Sequence, residues 1–100
     1  MNRQFLLQHA ITTYGVAPQE DMVIEEMSEL TKAILKHRRL GDKVSENGLE
    51  RVACQSHIRE EIADVQIMLD QMRIIYGDTS ENELYKLERL VERLGLNERD

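Results

Sequence analysis

The spacing of apolar residues constrains the fold of this chain more than any other feature of its sequence. Apolar side chains recur every three or four residues through almost the whole chain, which is the period of an α-helix that buries one face. No segment shows the sustained alternation of apolar and polar residues that is typical of a half-buried strand. Only 4% of the residues are aromatic, and strands are enriched in aromatic residues. We therefore predict an all-α fold in one domain, residues 1–100.

Glycine, proline and capping patterns divide the chain into helices. Gly15 ends the first helix, and Pro18 suits the first turn of the second. Gly77 is a suitable C-cap for the third helix, and Ser80 with Glu83 forms a capping-box pattern at the start of the fourth. These signals predict helices over about 2–14, 18–39, a start between 49 and 56 to 76, and 80–94, with an exposed polar loop at 41–48.

Charge and cysteine content limit the partners and the compartment. The net charge of -6 argues against a general nucleic-acid-binding protein. Cys54 is the single cysteine and cannot form an internal disulfide, which favours a reducing compartment. The sequence has no apolar run of about 18 residues or more, and no signal-peptide pattern at its start. We therefore expect a soluble cytoplasmic protein that binds neither nucleic acid nor a membrane.

Acidic residues intrude on the apolar faces of two predicted helices. On a helical wheel at about 100° per residue, Glu26 falls inside the apolar face of the second helix and Glu29 lies at its edge. Glu25 lies farther out. On the third helix Glu61 falls inside the apolar face and Asp64 lies at its edge. Each helix therefore carries an acidic pair at i, i+3 with one member in the stripe that should be buried.

Two intruding acidic pairs call for a compensating charge. An ionised carboxylate in an apolar interface costs several kcal/mol unless it is paired. If the two helices pack together, their carboxylates can surround one or two ions, and an all-oxygen ligand set suits Mg²⁺ or Mn²⁺ better than Zn²⁺. The Glu-x-x-His pattern of di-iron bundles is absent. The alternative is that these carboxylates pair with Lys or Arg of neighbouring helices, or line an edge that is exposed to water.

The acidic residues also match a family signature. Residues 25–30 (EEMSEL) and 61–65 (EIADV) resemble the EExxE…ExxD signature of the MazG-like all-α NTP pyrophosphatases. The first helix, the break at Gly15, the position of Gln19 and the basic-apolar final helix (residues 86–94) resemble the compact MazG-like proteins of phages and their bacterial hosts. The spacing between the two halves of the signature is longer than usual in that family.

The resemblance implies an enzyme and assigns roles to its acidic residues. The implied reaction is the Mg²⁺-dependent hydrolysis of an NTP or dNTP to the monophosphate and pyrophosphate. By the resemblance, Glu26, Glu29, Glu61 and Asp64 would be the metal ligands, and Glu25 would orient or deprotonate the attacking water. The implied fold is a four-helix MazG-like fold whose core bundle is completed in a homodimer or homotetramer.

Further residues are candidates for binding a nucleotide. Lys32, Lys36 and Arg39 could contact phosphates, although basic residues at a helix C-terminus also interact favourably with the helix dipole. Gln19 could form a hydrogen bond with a nucleobase, or it could be an ordinary surface residue.

Oligomerisation is also expected from the third helix itself. Ala63, Ile67 and Ile74 form a second apolar strip, opposite the main apolar face of that helix. A helix that is apolar on two sides is buried on two sides, and four short helices can hardly cover both. We therefore predict a homo-oligomer.

Two alternative functions remain open at the level of sequence. The first is phosphoribosyl-ATP pyrophosphatase, which shares the implied fold and a related acidic motif. The second is a helical interaction or regulatory protein, whose acidic residues form salt bridges and bind no metal. The position of Glu26 and Glu61 inside apolar stripes argues against the second alternative.

Overall fold

A computed structural model describes residues 2–41 and 48–97 of the chain. In these ranges the chain is helical and contains no strand, so the prediction of an all-α fold is confirmed. None of the helices, as far as the structure describes them, combines the length and the apolar character that a membrane span requires. The predicted loop falls mainly on residues 42–47, which lie outside the described residues. The helices are α1 (Arg3–Tyr14), α2 (Val16–Leu40), α3 (Gly48–Tyr76) and α4 (Ser80–Arg93).

A single residue, Gly15, separates α1 from α2. Its φ of 95° lies in the left-handed region that other L-residues rarely adopt, and its N–H donates to the carbonyl of Ile11 at 2.8 Å. Pro18 falls in the first turn of α2, where the missing N–H breaks no intrahelical hydrogen bond. The predicted break is therefore correct, and it turns the chain within one residue.

Helices α2 and α3 pack side by side in antiparallel orientation and form the main helix pair of the fold. Gln19, near the start of α2, contacts Gln71 near the end of α3. At the other end of the pair, Arg51 donates to the carbonyl of Gly41 at 3.2 Å. The buried apolar residues are few and come from three helices: Leu7, Ile11, Val23, Ala33, Cys54 and Met68.

The turn between α3 and α4 differs in detail from the predicted capping box. Gly77 ends α3 as predicted, with its N–H on the carbonyl of Arg73 at 2.9 Å. However, Thr79 rather than Ser80 is the N-cap of α4. The hydroxyl of Thr79 donates to Glu83 at 2.7 Å, and Asp78 accepts hydrogen bonds from Ser80. The Asp78 side chain therefore satisfies the N–H of Ser80, the first residue of the helix, and no side chain of Thr79 or Ser80 caps α4 in the way the sequence pattern predicted.

Asp70 links α1, α3 and the start of α4 through two arginines. Arg3 donates to Asp70 Oδ2 at 2.6 Å, and Arg73 donates to Asp70 Oδ1 at 2.9 Å. Arg73 also donates to the hydroxyl of Thr79 at 2.9 Å. The hydrogen bond from Arg3 lowers the pKa of Asp70 below its usual range. The ionised form of Asp70 therefore stabilises the packing of α1 against α3.

The lowered pKa of Asp70 leads to a pH-dependent stability. A carboxylate whose pKa is depressed by folding contributes its full stabilisation above the unfolded-state pKa, which is about 3.9 for Asp, and loses it as the pH falls through the folded-state pKa. We expect Asp70→Asn to lower the free energy of unfolding by about 1 kcal/mol or less at pH 7, because the pair is partly exposed. Urea unfolding should show this difference shrinking steadily below about pH 4.

The control for that experiment is Asp21→Asn, which alters an exposed carboxylate. This variant should change the free energy of unfolding by less than about 0.5 kcal/mol at either pH. A loss for Asp70→Asn that is equal at pH 7 and at acidic pH would mean that the ionised form of Asp70 is not what stabilises the packing.

Candidate metal site

Three acidic side chains meet between α2 and α3. Glu26 lies on α2, and Glu61 and Asp64 lie one turn apart on α3. One carboxylate oxygen from each lies within 4.8 Å of the other two. The i, i+3 spacing places Glu61 and Asp64 on the same side of α3, and the antiparallel packing brings that side to Glu26. The structure therefore brings together three of the four predicted ligands.

Glu61 is the most deeply placed of the three. Only 9% of its surface is exposed, as its position inside the apolar stripe predicted. Its Oε2 atom is buried and has no hydrogen-bond partner in the described part of the chain. Its Oε1 atom lies 3.8 Å from Nε2 of His57, one turn earlier on α3. A buried carboxylate oxygen without a partner loses the hydrogen bonds that water would give it, so a ligand at this atom would restore a missing interaction.

The negative charges around Glu26 disfavour its ionised form. Burial raises the pKa of the Glu26 carboxyl, and the negative charges of Asp64, Glu61 and Glu25 raise it further. Within residues 2–41 and 48–97, neither Lys nor Arg forms a salt bridge with Glu26, Glu61 or Asp64. The pairing with basic residues that could have explained these carboxylates is therefore not found among the described residues.

The donor set fits a hard divalent cation. Each of the three residues offers carboxylate oxygens, and no sulfur or imidazole belongs to the cluster. Mg²⁺ and Mn²⁺ prefer such oxygen ligands, whereas Zn²⁺ favours nitrogen and sulfur. Such a cation is compatible with the oxygen donors of the cluster and could meet the unpartnered atom of Glu61.

The other two predicted acidic residues lie at the margin of the cluster. Glu29, one turn after Glu26 on α2, is not among the three clustered carboxylates; its Oε1 lies 3.5 Å from Nζ of Lys32. Glu25 is exposed, yet its charge contributes to the raised pKa of Glu26. The structure therefore places Glu25 near the cluster in solvent, and leaves Glu29 paired with a lysine.

The predicted phosphate-binding residues follow the cluster toward the end of α2. Lys32 is exposed beside Glu29, and Arg39 is exposed in the last turn of the helix. Lys36 lines a small cavity of about 110 Å³ between α2 and α3, which His57 also lines. Lys36 and His57 therefore lie on the side of the cluster that faces the C-terminal end of α2.

An apolar groove lies on the opposite side of the cluster. Its volume is about 600 Å³, which is within the range of about 300–1,000 Å³ that is typical of small-molecule sites. Met22 in this groove is one turn before Glu26, and Met68 is one turn after Asp64. One helical turn is about 5.4 Å, so the groove lies next to the carboxylates. Its lining residues are Tyr14, Pro18, Gln19, Asp21, Met22 and Met68.

Gln19, one of the residues that line this groove, is buried and is held by a second glutamine. Its Nε2 atom donates to Oε1 of Gln71 at 2.6 Å, and both side chains are buried. Gln71 in turn donates to the sulfur of Met68 at 3.7 Å. The reading of Gln19 as an ordinary surface residue is therefore wrong.

Sequence reasoning missed two residues near the site. Gln71 follows Asp64 by seven residues, which is two helical turns, so its place on the same side of α3 was a usable signal. His57 precedes Glu61 by four residues, which also places the two side chains on one face.

No protein-family model matches the chain, and no curated protein and no solved structure matches it either.

Proposed function

We propose that the protein is a Mg²⁺-dependent nucleoside triphosphate pyrophosphohydrolase of the MazG-like type. One observation carries the proposal: three carboxylates from two antiparallel helices converge, and a buried oxygen of one of them lacks a partner. The resemblance of residues 25–30 and 61–65 to the EExxE…ExxD signature supports the same function. The comparisons with known proteins add nothing for or against it.

The carboxylates would bind the metal ion, and the metal ion would neutralise the charge of the phosphates. Glu26, Glu61 and Asp64 would bind Mg²⁺, and Glu29 would join them by turning away from Lys32. When bound, a divalent cation polarises phosphoryl oxygens and lowers the pKa of bound water. Glu25, exposed beside the cluster, would orient or deprotonate the attacking water. Hydrolysis between the α and β phosphates requires little else from the protein than positioning and charge neutralisation.

The residues on the two sides of the cluster differ in character, and this difference would orient the bound nucleotide along α2. The groove on one side has an apolar wall, an aromatic residue and the buried amide of Gln19, which suit a nucleobase. Lys32, Lys36 and Arg39 on the other side would contact the phosphates. The nucleobase would then lie against the first half of α2, and the released pyrophosphate would lie toward the end of that helix.

A homo-oligomer is part of the proposal. Two members of the second apolar strip of α3, Ala63 and Ile67, are exposed in the single chain, while Ile74 is partly covered. Exposed apolar side chains in a row are typical of a surface that packs against another chain. The α3 strip of a second copy would cover them and complete the core bundle.

The experiment that tests the function is pyrophosphate release from a panel of NTPs and dNTPs, with Mg²⁺ and with EDTA. The products to be identified are the monophosphate and pyrophosphate, because release of the diphosphate and phosphate would indicate a different reaction. We expect release with Mg²⁺ and none with EDTA. A folded protein that cleaves no triphosphate would overturn the proposal, and cleavage of phosphoribosyl-ATP alone would select that more specialised reaction.

A further inference from the structure

Helix α4 presents an apolar stripe that the described residues leave uncovered. No residue of α4 is buried, and within the described ranges α4 makes no extended contact with α1, α2 or α3. At about 100° per residue, four side chains that are 41% to 61% exposed fall within an arc of about 80°: Leu84, Leu87, Val91 and Leu94. The spacing of these four residues, three, four and three, is that of the a and d positions of a coiled coil, and Leu90 lies beside them.

The first turn of α4 is anchored, while the rest of the helix stands clear of the described chain. Arg73 of α3 donates to the hydroxyl of Thr79, which donates to Glu83 in the first turn of α4. These bonds fix where α4 starts. The helix has 14 residues, and isolated helices shorter than about 12–15 residues are marginal in water. A second surface against the leucines would therefore stabilise α4.

The chain exposes more surface than a compact monomer of its mass, which leaves area for an interface with a second copy. The surface area is 8115 Å², whereas a compact monomer of 11.7 kDa is expected to expose about 5,900 Å². The excess of about 2,200 Å² exceeds the roughly 800 Å² that each partner buries in a standard interface. The radius of gyration is 18.1 Å, against about 13 Å for a compact domain of this length.

The charges beside the stripe favour an antiparallel pair of α4 helices. In a parallel pair, Glu83 of each copy would lie beside Glu88 of the other, which gives two repulsive contacts. In an antiparallel pair centred between Leu87 and Val91, the only such contact is between the two copies of Glu88. That arrangement also places Leu90 against Leu90 of the second copy. It further sets the acidic first turn of one helix beside the last turn of the other, which carries a basic residue.

We infer that α4 is a self-association surface, which pairs antiparallel with α4 of a second copy of this chain. The pair is isologous, because each copy contributes the same stripe across a two-fold axis. This surface is separate from the apolar strip of α3 and does not rest on the proposed enzymatic function. A membrane is a poorer occupant, because α4 carries four acidic and three basic side chains, whereas helices that lie on membranes are rich in Lys and Arg.

The first test measures the mass of the full chain in solution by light scattering after size-exclusion chromatography. Leu87→Glu with Val91→Glu should halve the mass of the wild-type assembly. The control is Asn82→Glu with Tyr85→Glu, which makes the same change of charge on the opposite side of α4 and should keep the wild-type mass. Circular dichroism establishes that both variants are folded. A wild-type chain that is monomeric, or a stripe variant that keeps the wild-type mass, would overturn the inference.

The second test fixes the orientation by disulfide cross-linking of the full chain. A mixture of Leu84→Cys and Leu94→Cys chains should form a mixed cross-link under oxidation, because these positions face each other only in the antiparallel pair. Leu84→Cys alone should not cross-link with itself, since about 15 Å of helix separates the two copies of this residue. The wild-type chain is the control for Cys54, which is buried. Self-cross-linking of Leu84→Cys, or no mixed cross-link, would overturn the antiparallel pairing.

Discussion

Replacement of Glu61 by Gln is expected to reduce Mg²⁺-dependent pyrophosphate release by at least about 100-fold. Substitutions of residues that only support a metal ligand already cost about 10–100-fold, and Glu61 is the most deeply buried member of the cluster. The substitution keeps the shape of the side chain but removes the charge that the cation would meet. The loss should appear mainly in kcat, with a higher Mg²⁺ concentration needed for half-maximal activity.

The matched control is Glu60→Gln, which removes one negative charge from the neighbouring residue. Glu60 is exposed and does not belong to the cluster. This variant should retain activity within a few fold. Equal activity of Glu61→Gln and wild type, in preparations with the same melting temperature, would remove Glu61 from the metal site. An equal loss in both variants would mean that overall charge, rather than metal ligation, controls the rate.

Replacement of Glu26 by Gln is expected to stabilise the protein in EDTA and to abolish its stabilisation by Mg²⁺. In the absence of a cation, Glu26 is destabilised by burial and by the charges of Asp64, Glu61 and Glu25. Removing its charge relieves that repulsion. For the wild type, Mg²⁺ at ten times its dissociation constant should contribute about 1.4 kcal/mol. This corresponds to a rise of about 6–11 °C in the melting temperature of a domain of this size.

Thermal unfolding with EDTA and with a series of Mg²⁺ concentrations measures both effects. Glu60→Gln again serves as the control and should keep the full Mg²⁺-dependent rise. A wild-type melting temperature that does not respond to Mg²⁺ or Mn²⁺ would contradict a metal site. Together with full stability of a chain in which Glu26 and Glu61 are both Leu, that result would favour a helical interaction protein.

The sequence was sufficient for the helices and for the buried position of Glu61 because both depend on helical periodicity. The wheel placed Glu61 inside the apolar face of α3, and the structure buries it. The same reasoning could not show that Glu29 would pair with Lys32, because both are long side chains at the edge of a helix and either can face water or the cluster. The wheel also could not show the pairing of Gln19 with Gln71, since contacts between helices depend on their relative register.

The start of α4 shows a second limit of the sequence pattern. Ser80 and Glu83 have the spacing of a capping box, but the helix begins one residue earlier than that pattern requires, with Thr79 as its N-cap. Asp78, Thr79 and Ser80 are all residue types that form N-caps. Thr79 also accepts a hydrogen bond from Arg73 of the preceding helix, a contact that the local pattern does not contain. A pattern of neighbouring residues therefore cannot choose among three candidate caps when one of them has a partner on the preceding helix.

The antiparallel α2–α3 pair also determines where this protein can gain or lose residues during evolution. An insertion or deletion of one residue within α3 would rotate every later side chain by about 100° about the helix axis. A deletion between Asp64 and Gln71 would leave the acidic cluster in place and turn the partner of Gln19 away. A longer connection between α2 and α3 changes neither helix, and each doubling of a loop costs only about 0.6 kcal/mol. Length variation among related chains should therefore concentrate between residues 41 and 48, while α2 and α3 keep a constant length.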